Sequence, residues 1–152
     1  MNRWILALLA LLMLAACGSG PTRVRSEPPG LLLDLLALEG NQARIVVLLH
    51  NRNDHALAVS AIELRMLFDD EVLFEQPWTV NLMMDARGRE RVVLETTVRA
   101  SAAKRLTALE SGDQPSLRYQ LQGGLELADQ RDMPLDRTGF LHPVPGQPGQ
   151  FR

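Results

Sequence analysis

The side chains that could hold a metal ion or act as a nucleophile are few in this sequence. The histidines are His50, His55 and His142, and the single cysteine is Cys17. His50 and His55 lie five positions apart across a turn, and the two-residue period of a strand gives no reason to place both on one face. Zinc sites combine several His and Cys ligands at close spacing. We therefore interpret the histidines as turn residues and predict no metal site.

The acidic cluster in FDDEVLF is the other candidate for chemistry. Asp69, Asp70 and Glu71 could together bind a cation weakly, but charges at a hairpin tip also protect a sheet against pairing at its edge. We favour a hairpin tip with solvated carboxylates. The sequence contains no G-x-S-x-G, P-loop, H-E-x-x-H or EF-hand pattern. It therefore predicts no catalytic residue, no cofactor and no enzyme activity.

The first twenty residues, MNRWILALLALLMLAACGSG, have the parts of a secretory signal. Arg3 supplies a positive charge, an apolar run ends at Leu14, and two small alanines suited to cleavage follow. The apolar run is shorter than the ~20 residues that a membrane-spanning helix needs. We predict that residues 1–16 are a lipoprotein signal peptide removed on export, the alternative being an uncleaved amino-terminal anchor.

The residues around the only cysteine resemble the bacterial lipobox. In that motif, here Leu14-Ala15-Ala16-Cys17, the cysteine thiol is acylated and becomes the new amino terminus. The resemblance implies that Cys17 carries lipid and holds the protein on a membrane, where several acyl chains give stable anchoring. Gly18 stands where an Asp usually retains lipoproteins in the inner membrane. This implies the periplasmic face of the outer membrane of a Gram-negative bacterium.

The charge balance limits the partners. The chain has 18 acidic and 16 basic side chains and a net charge of −2. Because there is no basic excess, we predict no nucleic-acid partner. No block of like charge suits binding to anionic headgroups either. Membrane attachment would therefore depend on the acyl group of Cys17.

Composition divides the rest of the chain into three parts. The segment GSGPTRVRSEPPG is rich in Gly, Pro and Ser, so residues 17–30 are predicted to be the acylated cysteine and a flexible tether. Residues 31–144 are predicted to fold as one domain, which is long enough to bury a core without disulfides. The Pro- and Gly-rich residues 145–152 are predicted to form a loose carboxyl-terminal tail.

Apolar and polar side chains alternate through most of the domain. This period of two predicts strands in ARIVVLLH, AIELRMLF, RVVLETTV and LRYQLQGGLEL. LLLDLLAL also suits a helix, but Pro28-Pro29-Gly30 before it favours a short strand. SAAKRLTALES has helical spacing, with Ser101 as its candidate N-cap. Together with regularly spaced turn residues, the pattern predicts an all-β antiparallel β-sandwich of about seven strands with one short helix.

Two segments resemble one protein family. LLHNRNDHALAVSAIELRMLF places Asn51 and Asn53 in an N-x-N turn, which suits a tight reversal between strands. LRYQLQGGLELADQRDMPLDRTGFLHP contains a Tyr-x-Leu-x-Gly strand, then Met-Pro, then a Gly and a Pro. In this order the segments are similar to the late embryogenesis abundant (LEA) type 2 family, also called the water-stress and hypersensitive-response (WHy) domain. The similarity spans about residues 31–143.

The resemblance implies an immunoglobulin- or fibronectin-III-like sandwich in which seven residues have structural roles. Asn51 and Asn53 match the family's turn. The residues that match its last two strands are Tyr119, Gly123, Pro134, Gly139 and Pro143. The sequence departs from the family at Arg52 and Met84, where a Pro is usual. No catalytic residue is implied, because the family is not known for one.

The function that the resemblance implies is protective rather than enzymatic. It is that of an envelope lipoprotein that protects proteins or membrane under desiccation or related stress, through weak and broad binding to unfolding client proteins. The alternative is a structural or assembly lipoprotein that binds one specific envelope protein through a strand edge or an apolar patch. Fold alone does not decide between the two.

Overall fold

The computed structural model of the protein describes residues 26–128 and 132–152. The predicted signal peptide and Cys17 lie outside the described residues. Within them the chain forms eight strands and one helix. In chain order these are β1 (Gly30–Glu39), β2 (Gln42–His50), β3 (Leu57–Phe68), β4 (Glu71–Met84), β5 (Arg89–Thr97), α1 (Ala100–Glu110), β6 (Leu117–Leu127), β7 (Met133–Leu141) and β8 (Gln150–Phe151).

The strands form two four-stranded sheets. The first sheet has the order β5-β2-β1-β8, and the second has the order β4-β3-β6-β7. Every pair of neighbouring strands is antiparallel. The two sheets enclose one apolar core. The predicted antiparallel β-sandwich with one short helix is therefore confirmed, with eight described strands where about seven were expected.

The core forms because one face of each long strand is apolar. Leu36 and Ile45 of the first sheet and Ile62 and Leu64 of the second are fully buried. Full burial of a side chain of this size stabilises the fold by roughly 1.5–3 kcal/mol. The alternation seen in the sequence therefore sets which face of each strand points inward.

Strand β1 keeps its inward face through a bulge. Its Leu-rich sequence also suits a helix, but it pairs with β2 along its whole length. The register shifts between Leu33 and Leu35. This shift lets Leu33 and Leu36, which are an odd number of positions apart, both lie in the core.

The strand ends define two ends of the sandwich. The entry end comprises residues 26–29, the connections 51–56 and 85–88, and the facing ends of β6 and β7. The helix end comprises α1, the hairpin tips 40–41 and 69–70, and residues 142–149. The connection 51–56 leads from β2 in one sheet to β3 in the other. It therefore does not close a hairpin within one sheet, as the predicted tight reversal would. The reason is that β2 is already paired on both sides, with β1 and β5.

The acidic hairpin tip lies at the helix end, between β3 and β4. Asp69 takes a positive φ of 53° there. Its carboxylate accepts a hydrogen bond from the Arg105 guanidinium of α1 at 2.6 Å, and Arg105 also donates to the carbonyl of Phe68 at 3.0 Å. The hairpin tip is confirmed, but this carboxylate is paired rather than only solvated, because α1 packs beside it.

Helix α1 covers the helix end of the core. It buries three residues at the predicted helical spacing, Ala102, Leu106 and Leu109. Arg99 occupies the N-cap position with no side-chain cap bond, so the prediction of Ser101 as N-cap is wrong. The backbone N–H of Arg99 donates to the carbonyl of Leu73 at 3.0 Å, and this bond to β4 fixes where the helix begins. Among the described residues no helix is long and apolar enough to cross a membrane.

Residues 145–152 are part of the fold, so the predicted loose tail is wrong. Strand β8 pairs with β1, and Phe151 is only 1% exposed. Gly149 has a φ of +73°. Its carbonyl accepts from the N–H of Leu38 at 2.7 Å, and its N–H donates to the Glu110 carboxylate at 2.7 Å. The Gly and Pro residues form a turn that returns Phe151 to the core, where burial of its ring outweighs the cost of ordering the segment.

Candidate functional site: an asparagine network at the entry end

Asn51 is fully buried at the entry end. Its side-chain Nδ2 donates to the carbonyls of His55 at 2.8 Å and Asp85 at 2.9 Å, with a longer bond of 3.4 Å to Met84. Its Oδ1 accepts from both the backbone N–H and the side-chain Nδ2 of Asn53, each at 2.9 Å. The amide therefore has partners for its donors and its acceptor, as a buried polar group requires.

Asn53 extends this network to the start of the domain. Its Oδ1 accepts from the backbone N–H of Glu27 at 2.6 Å, and its Nδ2 donates to the Glu27 carbonyl at 3.0 Å. One side chain thus bonds both backbone groups of Glu27, as a neighbouring strand would. Gly30 already belongs to β1. The predicted tether of residues 17–30 is therefore too long at its carboxyl-terminal side, because residues 26–30 are bonded to the domain.

Three contacts surround the two asparagines. The ring of His55 lies 2.9 Å from Ser26 Oγ. The Arg87 backbone N–H donates to the Asn53 carbonyl at 3.0 Å. The Arg87 side chain forms an ion pair with Asp54 at 2.7 Å. Because this pair is exposed, it contributes at most about 1 kcal/mol to the stability of the fold. We call these residues, with Asn51 and Glu27, the asparagine network.

The asparagine network is suited to holding backbone segments together. Amide side chains do not titrate and do not act as nucleophiles. In the described ranges no group of three or more His, Cys, Asp or Glu side chains is placed to hold a metal ion. What the arrangement does is join three segments that are distant in sequence: residues 26–29, 51–56 and 85–88. Glu27 and Asp85 have no signature in the sequence, since they contribute only backbone groups.

Three more of the family-motif residues lie on strands β6 and β7. Tyr119 and Gly139 face each other in the β6–β7 register. A Cβ on Gly139 would lie 2.7 Å from the Tyr119 hydroxyl oxygen. The Tyr119 ring therefore packs over Gly139 and fills the space that a side chain would take in the strand. Gly123 pairs with Leu64 of β3, and a Cβ on it would overlap the carbonyl oxygen of Glu63. All three residues serve packing between strands.

The two family-motif prolines lie at the margins of the sheets. Pro134 lies in β7 and faces Gly124 of β6. Because β7 is an edge strand, the missing N–H of the proline is tolerated there. Pro143 forms an isolated bridge with Phe151. The structure thus brings Asn51 and Asn53 together and brings Tyr119 and Gly139 together. Gly123 and Pro134 lie at diagonal positions of the paired strands β6 and β7.

The three histidines are not gathered at one site. His50 and His55 lie at the entry end, and His142 lies at the helix end, where its Nδ1 is 3.2 Å from the carbonyl of Pro115. An open groove of about 500 Å³ also lies at the helix end, lined in part by Glu39, Arg44 and Glu95. The pair Arg44–Glu95 is mostly exposed, so the groove offers surface charges rather than a desolvated binding site.

The outer faces of the sandwich expose several large apolar side chains. Leu32 and Val93 lie on the first sheet at 42% and 48% exposure, and Met83 and Phe140 lie on the second at 59% and 60%. On the first sheet, Leu32 lies beside Leu48 and Val93 lies beside Val46, so these side chains are apolar neighbours on one outer face. The outer faces therefore present a short apolar row on the first sheet and single exposed apolar side chains on the second.

Two solved structures resemble this fold. The solution structure of AT1g01470 from Arabidopsis thaliana has a TM-score of 0.64 and 15% identity, and the match covers 88% of this chain and 94% of that chain. The solution structure of At2g46140.1, described as a late embryogenesis abundant (LEA) protein, has a TM-score of 0.52 and 15% identity, and covers 88% of this chain and 82% of that one. The chain shares its fold with a LEA protein. No protein-family model matches the sequence, and no curated protein matches it.

Proposed function

We propose that this protein is a non-enzymatic stress-protection protein with a LEA type 2-like domain, held by lipid on the periplasmic face of the outer membrane. The observation that carries the proposal is the fold shared with a LEA protein over 88% of the chain. At 15% identity this is an analogy of fold. The family motifs from Asn51 to Pro143 and the lipobox at Cys17 support the rest.

The surface supports weak and broad binding to unfolding clients. Unfolding proteins expose apolar segments, and the domain presents exposed apolar side chains on both outer faces. Each such contact gains little, so binding to any one sequence is weak, while the charges keep the bound client in solution. A rigid sandwich presents these contacts without ordering cost to itself.

The asparagine network supports a short connection to the membrane. Because Asn53 bonds Glu27 to the domain, the proposed tether can extend no further than residues 17–25. From Cys17 to Ser26 a fully extended chain reaches about 30 Å. The entry end would therefore stay within about 30 Å of the headgroups.

Substitution of Cys17 tests the lipid anchor. We expect the full-length protein, expressed in a Gram-negative host, to incorporate a palmitate analogue and to fractionate with the outer membrane. Cys17→Ala is expected to abolish the label, because acylation needs the thiol, and to release the exported protein from membranes. Ser19→Ala is the matched control and should keep both properties. A labelled Cys17→Ala variant, or one that still fractionates with membranes after export, contradicts the anchor.

Drying tests the protective function. We expect residues 26–152, which contain every described strand and the helix, to preserve the activity of a labile enzyme through drying and rehydration. Preservation should exceed, by about twofold or more at equal molar ratio, that given by an inert sandwich domain of similar mass and charge. The physical reason is that contacts with several exposed apolar side chains shield the client from aggregation.

A surface variant shows whether that protection comes from the proposed contacts. Serine replaces three exposed apolar side chains, those of Leu32, Met83 and Phe140. The control variant replaces three exposed polar side chains with serine, those of Thr79, Gln122 and Thr138. Protection should fall in the first variant and persist in the second. Protection equal to that of the inert domain would reject the stress function and favour a single specific envelope partner, to be sought by crosslinking in cells.

A further inference from the structure

Strand β5 is an edge of the first sheet, and its backbone has one unpaired side. The N–H of Val98, just after β5, donates to the carbonyl of Asn41, just before β2, at 2.8 Å. At the other end of the pair, the N–H of Asn51 donates to the carbonyl of Gly88 at 2.9 Å. These bonds fix the alternation of an antiparallel ladder. Even-numbered residues of β5 bond to β2, and odd-numbered ones direct both backbone groups away from the sheet. We call Arg91, Val93 and Glu95 the β5 edge.

The β5 edge is self-complementary in charge. Its three side chains lie on the outer face, where all three are exposed, Val93 at 48%. Arg91 stands two positions before Val93, and Glu95 stands two positions after it. When such a strand pairs antiparallel with a copy of itself about Val93, each arginine lies directly opposite a glutamate.

We propose that the β5 edge pairs with the β5 edge of a second copy of this chain, forming a two-fold homodimer in which Val93 faces the partner's Val93. Arg91 then faces the partner's Glu95, twice by symmetry. Two first sheets join into one continuous antiparallel sheet. The entry ends of the two copies lie at opposite ends of that joined sheet.

Charge and the apolar pair together select this register over its neighbours. A pairing centred between Arg91 and Val93 also places Glu95 opposite an arginine, Arg89, but it sets Val93 against the charged Arg91. A pairing centred on Arg91 places two arginines opposite each other, and one centred on Glu95 places two glutamates opposite each other. Opposite charges across an antiparallel pair are favourable and like charges are unfavourable. The centre at Val93 is the register that gives two favourable charge pairs together with an apolar pair.

An apolar row on the outer face continues across the junction. Val93 lies beside Val46 of β2, and Val46 lies beside Leu35 of β1. Val46 is nearly fully buried within this row, whereas Val93 is half exposed at its end. Pairing with the partner's Val93 would extend the row into the second copy and remove that exposed side chain from water.

Two side chains already bond to the edge, and pairing with the second copy would replace the weaker of these bonds. The Glu95 carbonyl accepts from Trp78 Nε1 at 2.9 Å and from Gln76 Nε2 at 3.3 Å, both from β4 of the other sheet. A carbonyl oxygen has two lone pairs, so an N–H of the partner's Arg91 can replace the longer bond from Gln76. The ion pairs Arg91–Asp34 and Arg44–Glu95 are each 3.4 Å long and largely exposed, so they hold the two side chains weakly.

Crosslinking tests the pairing in the full-length protein. Directly opposed residues that exchange both backbone bonds have Cα atoms about 5.5 Å apart, within the range that a disulfide spans. We expect Val93→Cys to form a covalent dimer under mild oxidation in cells. Thr79→Cys, another exposed position, on the outer face of β4, is the matched control and should not form this dimer. Both are compared with the parent chain, which accounts for any product of Cys17.

Charge reversal tests the register by sedimentation of the full-length protein in mild detergent. Arg91→Glu alone and Glu95→Arg alone should each weaken dimerisation at least about tenfold, because each creates two like-charge pairs. The double reversal should restore it. The double variant does not restore the pairs with Asp34 and Arg44 inside each copy, so its rescue reports contact between copies. Arg118→Glu, on the second sheet, should leave dimerisation unchanged.

Three results would overturn the proposal. One is a protein that stays monomeric up to about 100 μM, a concentration at which even a weak specific dimer is populated. Another is a dimer whose strength does not respond to Arg91→Glu. The third is a dimer that both single reversals weaken and the double reversal fails to rescue. Failure of the drying assay bears on none of these readouts, since they measure association of the chain with itself.

Discussion

The Gly123→Ala variant is expected to lose about 3–4 kcal/mol of unfolding free energy, or to fail to fold. The added Cβ would overlap the carbonyl oxygen of Glu63 and crowd the Cα of Leu64. Both are backbone atoms of β3, which is paired with β4 on one side and β6 on the other. Because that backbone is bonded on both sides, it cannot move away without breaking ladder bonds. The clash must therefore be relieved by separating strands in the middle of the second sheet.

The adjacent glycine supplies the control for this prediction. A Cβ on Gly124 would meet only the carbonyl of Met133, at 3.4 Å, so Gly124→Ala should change stability by less than about 1 kcal/mol. Urea unfolding followed by circular dichroism measures both variants. An insoluble Gly123→Ala beside a folded Gly124→Ala supports the prediction. Equal stability of the two variants would show that β3 and β6 do not approach as closely as described.

Asn51→Ala is expected to cost about 3 kcal/mol. The substitution removes a fully buried amide that bonds to five groups. It leaves the carbonyl of His55 and the N–H of Asn53 without these partners, while the Asp85 carbonyl keeps its bond from the Gly88 N–H. Each buried backbone group left unsatisfied costs about 1–3 kcal/mol unless water reaches it. Because the network lies at one end of the sandwich, some water will enter. The expected loss of stability is therefore smaller than the sum of these separate costs.

Two further variants test whether the loss comes from the hydrogen bonds of Asn51 or from any substitution in this turn. Asn51→Asp keeps the acceptor but directs a carboxylate at two carbonyl oxygens, so it should be destabilised at least as much as Asn51→Ala. Arg52→Ala changes the exposed residue between the asparagines and should alter stability by no more than about 0.5 kcal/mol. The stabilities are compared through the midpoints of denaturant unfolding curves that have equal m values. A loss of under 1 kcal/mol in Asn51→Ala would mean that the network is not needed to hold the entry end.

The sequence predicts β1, β2, β3, β5, β6 and α1 because their patterns are local, but it predicts no segment within β4. Alternation in AIELRMLF and LRYQLQGGLEL places the right side chains in the core, and the helical spacing in α1 places Leu106 and Leu109 there too. Its errors concern residues whose role depends on distant partners. Ser101 is not the N-cap because Leu73 sets the helix start. Residues 145–152 are ordered because Phe151 pairs with Leu36 of β1, more than a hundred residues earlier in the chain.

The candidate site likewise contains some residues that the sequence identifies and others that only the structure reveals. The N-x-N pattern identifies Asn51 and Asn53, because asparagine is suited to turns whatever surrounds it. It does not identify Glu27 or Asp85, which take part through backbone groups that every residue type possesses. Likewise the sequence contains both Gly123 and Gly124, and only the approach of β3 distinguishes the one that cannot carry a side chain.

By itself the sequence determines the strand periodicity, the all-β class and the single short helix, because a period of two decides which face of a strand is apolar. It also determines where the lipobox-like cysteine stands. The tertiary structure alone decides which sheet each strand joins, that residues 26–29 and 150–151 belong to the fold, and that β5 has an open edge with Arg91, Val93 and Glu95 along it. Pairing is a contact between segments far apart in the chain, so no local pattern specifies it.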